Sequence, residues 1–327
     1  MRKVLGLICL ALAGLLLTLS VLALTWVPDQ VKRTPLSIDT KTYLTGEASA
    51  LPSGGSSPVQ YFSHTVVDPE KSTDEVAAFS TFTCLTKVEG SDAPDCVDKN
   101  DPKKRLVNAG TDRFATDRKT GMSVEEGFEK YVGDDAVPHT GLVNKFPFDV
   151  EKKTYPFWDG VLGRAVDAEF QGEEKIDGLT TYLFVVESSD EPAEIASGID
   201  GLYSSTKEIW VDPATGSMVK QHEEQQRKLD EKQTVLELDI TFTDETVAAN
   251  VKDARENAAS LGLIGKIPLI ALVLGLLLLV GGLALLAGGG RRRGAHATTR
   301  DPGPGEARDL DLFREDRTSG PSDVRRH

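Results

Sequence analysis

Three histidines stand in the middle of this chain, His64, His139 and His222, while His296 and His327 lie near its C-terminus. The stretch His222-Glu223-Glu224-Gln225-Gln226 begins as a zinc-protease helix does, but Gln226 stands where the second ligand would be. With the histidine pair lost, that chemistry fails, and the stretch reads as a polar strand leaving a hairpin. Other signatures are missing as well. There is no Gly-x-Ser-x-Gly elbow. No phosphate-cradling loop ends in Lys-Ser or Lys-Thr, and no dinucleotide fingerprint occurs. No run of alternating oxygen ligands closes on a glutamate as a calcium loop does. Acidic pairs such as Asp134-Asp135 follow from an acidic composition. The expectation is a protein that is not an enzyme and has no cofactor or metal site. A hydrolase built around His139 or His222 ranks third among the readings.

Two further groups of residues invite a role. Cys84 and Cys96 are twelve positions apart, and the chain between them ends in the turn-forming run Gly90-Ser91-Asp92-Ala93-Pro94-Asp95. An even pair in an oxidising compartment predicts a disulfide. Cys9 sits alone in an apolar run. The segment from Phe146 to Trp158 holds five aromatic rings, Phe146, Phe148, Tyr155, Phe157 and Trp158, in a chain that is 6% aromatic. It reads either as a loop fastened to the core by its rings or as the lining of an apolar ligand site or contact surface.

The elements around these residues are marked by charge. Val4–Val27 and Ile267–Ala287 carry no charged side chain, and each exceeds the roughly 18 residues a membrane helix needs. Arg2 and Lys3 precede the first run; Arg291, Arg292 and Arg293 follow the second. Basic flanks stay on the cytoplasmic side, which predicts cytoplasmic termini and an extracytoplasmic domain over residues 28–262. The first run is longer than the core of a secretory signal, which favours an uncleaved anchor over a signal peptide cut after Val21-Leu22-Ala23. Residues 28–265 hold 25 basic and 44 acidic side chains. Such a surface repels nucleic acid. Residues 288–327 are rich in Gly, Arg, Asp and Pro and predict a disordered cytoplasmic tail, following a cytoplasmic stub at residues 1–3.

Within residues 28–262 the pattern is mostly that of strands. Residues 75–88 read as a long strand rich in Thr, Phe and Val, and residues 46–58 as a Gly/Ser/Pro loop. Two hairpin turns share the form Asp-x-x-Thr-Gly, at Asp117–Gly121 and Asp212–Gly216. From Thr234 to Thr243, Leu236, Leu238, Ile240 and Phe242 alternate with Glu237, Asp239 and Thr241, as on a half-buried strand. A helix capped by Thr243 or Asp244 then presents Val247, Val251, Ala254, Ala258 and Leu261 on one side. Gly262, Gly265 and Pro268 offer a bend before the second span, and Ala284 with Gly288 a small-residue spacing for helix association. The fold class expected is a membrane-anchored α+β protein with an antiparallel, β-rich domain between two transmembrane helices.

Several pieces taken together resemble the actinobacterial PorA family. They are Lys145-Phe146-Pro147-Phe148 with Thr154-Tyr155-Pro156-Phe157-Trp158-Asp159, then Ile176-Asp177-Gly178-Leu179-Thr180-Thr181-Tyr182, then Trp210-Val211-Asp212-Pro213-Ala214-Thr215-Gly216. The resemblance covers about residues 1–290 and implies an envelope protein with an external domain between two spans. The family's name implies channel formation, yet a channel barrel needs an apolar outward face, which this acidic domain does not offer. Residues 176–187 followed by 208–221 are also similar to LolA-like and RseB-like lipid or lipoprotein carriers, which implies a curved half-barrel with a concave apolar face. The leading expectation is therefore a cell-membrane protein whose external domain binds a lipid-like or protein component of the envelope without catalysis. The alternative is a channel-forming or structural assembly protein. Its expected partners are the lipid bilayer and that envelope component, not nucleic acid; the sequence leaves its oligomeric state open.

Overall fold

The computed structural model describes residues 1–49, 55–91, 93–230 and 233–288; Arg291, Arg292 and Arg293 and the predicted tail lie outside them. Helix α1 (Arg2–Thr25) and a short α2 (Val27–Val31) lead into strands β1 (Asp39–Ser49), β2 (Ser57–Val67), β3 (Val76–Lys87) and β4 (Leu106–Asp117). After α3 (Glu129–Val132) come β5 (Tyr155–Asp159), β6 (Arg164–Ile176), β7 (Leu179–Ala196), β8 (Ile199–Val211), β9 (Met218–Lys228) and β10 (Thr234–Phe242). Helix α4 (Asp244–Ala287) ends the described chain. The ten strands form one curled antiparallel sheet in the order β4-β3-β2-β1-β10-β9-β8-β7-β6-β5, so the expected fold class holds.

That order has a simple logic. The chain enters at the middle of the sheet, walks outward to β4, crosses to the far edge at β5, and walks back until β10 pairs with β1. The crossing segment joins the two edges. Thr116 of β4 bridges to Ser123, Met122 bridges to Leu142, and Leu142 bridges to Phe157 of β5. Backbone bonds from Ser123 to Gly141, Leu142 to Pro156 and Trp158 to Leu142 continue the ladder across the gap. The end of β4 near Thr116 and the middle of β5 are thereby covered, where an open edge would expose unpaired amides.

One sheet face carries the core. Leu44, Val59, Leu85, Leu238, Ile240 and Phe242 form one cluster, while Tyr155, Phe157, Ala168, Phe184, Ile209 and Val211 form another with Leu142 and Phe146 from the crossing segment. The alternation read in residues 234–243 is the register of β10, and residues 75–88 contain β3. The predicted loop at 46–58 is corrected: β1 continues to Ser49 and β2 starts at Ser57, with Gly46 paired to Ile240 and Val59. A Cβ on Gly46 would lie 1.8 Å from the Asp239 carbonyl oxygen, so this glycine serves close strand approach rather than a turn. Both Asp-x-x-Thr-Gly turns form as expected. Asp117 Oδ1 accepts from the Lys119 and Thr120 amides, Asp212 Oδ2 accepts from the Thr215 amide and hydroxyl, and Gly121 and Gly216 each have φ of 74°.

Because β1 and β10 are neighbours, the helices that precede and follow them meet as well. Thr243 caps α4 by accepting from the Thr246 amide. Val251 and Ala254 bury against Val219, with Ile176, Leu179 and Val247 around them, on the face the sequence predicts. The helix then runs on through Gly262, Gly265 and Pro268 as one element of 44 residues, without the break those residues offered. Beyond the sheet α4 packs against α1. The buried positions fall at Gly6, Ala13 and Ser20 on α1 and at Pro268, Gly275 and Gly282 on α4. A spacing of seven is one heptad, which keeps small residues on a single seam. Ala284, read as an association position, points away from α1 and is exposed.

Candidate functional site

The five aromatic residues of the 146–158 segment divide by burial. Phe146, Tyr155 and Phe157 are buried, with Phe146 4.5 Å from the Phe184 ring and 5.5 Å from the Tyr155 ring between centroids. Phe148 and Trp158 are half-buried. The Lys145 ammonium lies over Phe148, 3.7 Å from the ring centroid, and Trp158 packs against His139 at a tilt of 38°, with ring centroids 4.3 Å apart. The segment is held by a single turn: the Phe146 amide donates to the Gly216 carbonyl and the Val150 amide to the Pro213 carbonyl. A Cβ on Gly216 would fall 2.1 Å from the Phe146 carbonyl oxygen, so the second hairpin turn is the seat on which the aromatic segment rests. Burial moves the Lys145 pKa down to about 7; the amine has no carboxylate partner among the described residues.

The histidines are placed apart. His139 is 3% exposed, with Nδ1 2.9 Å from the Val137 carbonyl and Nε2 2.9 Å from Asp112. It sits between Phe114 of β4 and Trp158 of β5 and ties the two sheet edges together. His64 pairs with Asp39 at 2.7 Å on the sheet's other side. His222, on β9 as expected of a polar strand, lies between two carboxylates: Nδ1 is 3.0 Å from Glu208 on β8 and Nε2 is 2.9 Å from Asp239 on β10. Partial burial lowers its pKa, but the bonds and charges of Glu208 and Asp239 outweigh this and raise it above the ordinary histidine value. Glu224 stands beside this group, and one ligand atom from each of His222, Glu224 and Asp239 falls within 4.8 Å of the others.

Next to that cluster an open trough of about 650 Å³ runs over β1, β10, β9, β8 and β7. Glu47, Glu187, Thr206, Glu224, Glu237 and Asp239 are among its walls, with Ser49, Ser204 and Gln226. These residues alternate with the core residues along each strand, so they occupy the sheet face opposite the core. The apolar concavity implied by the carrier resemblance is not what this face presents: apart from Leu238, its lining is hydroxyl, amide and carboxylate. On the core face a polar chain crosses the sheet. The Tyr203 hydroxyl donates to Asp159 at 3.0 Å, Gln225 donates to Glu223 at 3.1 Å, and Lys207 pairs with Glu223 at 3.4 Å. Tyr61 is pushed up to about 12 by burial and by the charge of Glu223.

The sequence did not reveal the gathering of Glu208, His222, Glu224 and Asp239. Its signal was there, since three neighbouring strands each place a ligand type on the same face, but only the strand register aligns them. Cys84 and Cys96 form the expected disulfide. It holds residues 93–96 against β1–β3, where Gln60 donates to the Pro94 carbonyl at 3.1 Å and the Tyr43 hydroxyl to Asp95 at 3.2 Å. Arg2 and Lys3 open α1, which the contacts of Gly6 with Leu286 and Gly282 place beside the end of α4.

A protein named Porin PorA from Corynebacterium amycolatum is 34% identical over 97 residues, covering 27% of this chain and 25% of that protein. Another Porin PorA, from Corynebacterium resistens (strain DSM 45100 / JCM 12819 / GTC 2026 / SICGH 158), is 32% identical over 110 residues, covering 30% and 26%. The matched stretch thus spans about a quarter of each relative's length. The family described as Porin PorA matches from residue 5 to residue 284, through both apolar helices and every strand between them. The chain belongs to the PorA family.

Proposed function

We propose that this chain is a membrane-anchored, non-enzymatic component of a channel-forming or structural assembly of the cell envelope. The observation that carries this reading is the family match over residues 5–284. Channel formation comes from the relatives' name and is here a proposal. Physical constraints shape it. The core face of the sheet is filled by side chains such as Phe146, Phe184 and Ile209, each fully buried. The opposite face carries Glu187, Glu224 and Asp239, which a lipid-facing strand would not tolerate. The sheet therefore stays in water, and the apolar helices face lipid and neighbouring copies. A polar path through the bilayer is then supplied between chains.

The antiparallel pairing of α1 and α4 supports a two-span hairpin, with Arg2 and Lys3 on one side and the sheet domain on the other. The basic flanks assign the termini to the cytoplasm and the domain to the extracytoplasmic side. A lipid-like ligand at the aromatic segment has less support, because three of its five rings are already packed against the core. The test is reconstitution of the full-length protein in planar bilayers, with oligomeric and monomeric fractions separated first. Stepwise conductance confined to the oligomer is the expected result. A protein that stays monomeric and carries no current would overturn the proposal.

A further inference from the structure

We propose that His222, Glu224 and Asp239 form a binding site for a divalent transition-metal cation of the zinc class, with Glu208 as the carboxylate that orients His222. The argument begins from register. Glu208 pairs directly with His222 across β8 and β9, and Glu224 pairs directly with Asp239 across β9 and β10. Four polar side chains of complementary type therefore project from one patch of the sheet face opposite the core. A backbone ladder holds their Cα positions, so the site depends on no mobile loop.

The donor geometry suits a cation. His222 Nε2 and Asp239 Oδ1 are 2.9 Å apart, and a Glu224 oxygen completes a triangle with no side above 4.8 Å. Ligands about 2.0–2.2 Å from a tetrahedral zinc sit about 3.3 Å from one another, so small side-chain rotations close the triangle. Glu208 accepts from His222 Nδ1 at 3.0 Å. This is the carboxylate–histidine arrangement that fixes the tautomer and turns Nε2 toward a metal. Glu224 is exposed, with no hydrogen bond or ion pair among the described residues. Glu224 and Asp239 both line the trough, which leaves the fourth coordination position open to water and the site open to ions. An imidazole ligand distinguishes this site from oxygen-only calcium or magnesium sites and favours zinc-like ions. A bound ion would clamp β9 and β10 together.

The test uses untagged full-length protein in detergent, stripped with a chelator and titrated with Zn²⁺ alone by isothermal calorimetry. One ion per chain is expected, together with a rise in the thermal midpoint. His222→Ala and Glu224→Gln should each weaken binding tenfold or more. Glu208→Gln, which leaves all three ligands in place, should weaken it about 10-fold or somewhat more. Glu237→Gln, in the same trough but outside the cluster, should bind as the unaltered protein does. Glu224 is exposed, so Glu224→Gln keeps the test valid if His222→Ala fails to fold. Absence of saturable binding, or equal affinity in Glu224→Gln and the unaltered protein, would overturn the proposal.

Discussion

Lys145 and Phe146 are adjacent and show two opposite uses of burial. Phe146 is fully buried among Tyr155, Phe157 and Phe184. Its replacement by Ala is expected to cost about 3–5 kcal/mol, read from the shift of the chemical-denaturation midpoint. A ring that mainly lined a ligand site would show little loss in the apo protein. Lys145 brings its ammonium against the Phe148 ring with no carboxylate partner among the described residues, and burial lowers its pKa to about 7. The sign of its effect follows by linkage. A lysine in the unfolded chain titrates near 10.4, so between about 7 and 10 the unfolded state holds more protons and stability rises with pH. Lys145→Met removes the cost of charging a desolvated amine. It should raise the thermal midpoint most at pH 6, with the gain shrinking toward pH 10. A gain of the same size at both pH values would mean that the amine is fully solvated in the folded protein.

At the scale of elements, the disulfide acts by fastening residues 93–96 over β1–β3. Closing the loop between Cys84 and Cys96, twelve positions apart, contributes about 3 kcal/mol by chain-entropy reasoning. Replacing both Cys84 and Cys96 by Ser should lower the denaturation midpoint accordingly while leaving the strand signal in circular dichroism intact. Loss of the strand signal would mean that the sheet cannot form without the bridge. This pairing was legible in the sequence because it is local. So were β10 and the amphipathic start of α4, where a period of two gives way to one near 3.6 at Thr243. The turns at Asp117 and Asp212 were legible because an aspartate that bonds forward and a glycine at positive φ lie within five residues. Gly46 misled, since glycine in a Ser/Pro-rich stretch signals a loop, while here it lets β1 approach Asp239 of β10. What stayed hidden depends on pairing between residues far apart in the chain. The joining of β4 to β5 through Met122 and Leu142, and the meeting of Glu208, His222 and Asp239, are products of strand order. No local period encodes that order.

For the whole molecule, one topological fact has the widest reach: the first and last strands are neighbours at the centre of the sheet. The helices that flank them must then leave from one region of the domain, and α1 and α4 pair antiparallel along their seam of small residues. Gly6 and Gly282 bring the two backbones together, and a Cβ on Gly282 would lie 3.0 Å from Leu10 and 3.1 Å from the Gly6 carbonyl oxygen. In the proposed two-span arrangement lipid supplies little hydrophobic drive for helix pairing, so close packing of this kind must hold the pair. Gly282→Leu puts a branched side chain into a seam without room for it, an overpacking cost of about 1–3 kcal/mol. The consequence can be read as a distance between spin labels at Leu5 and Leu283, both exposed on the helix surfaces. In the unaltered protein, reconstituted in bilayers, the distribution should be short and narrow, as for helices about 8–10 Å apart. In Gly282→Leu it should lengthen and broaden, while Gly281→Leu, at a glycine whose added Cβ meets nothing within 4 Å, should leave it unchanged. If both variants keep the short distance, the strands β1 and β10 hold the helices together and the seam is incidental. If both lose it, helix contacts extend beyond the seam to the face carrying Gly281.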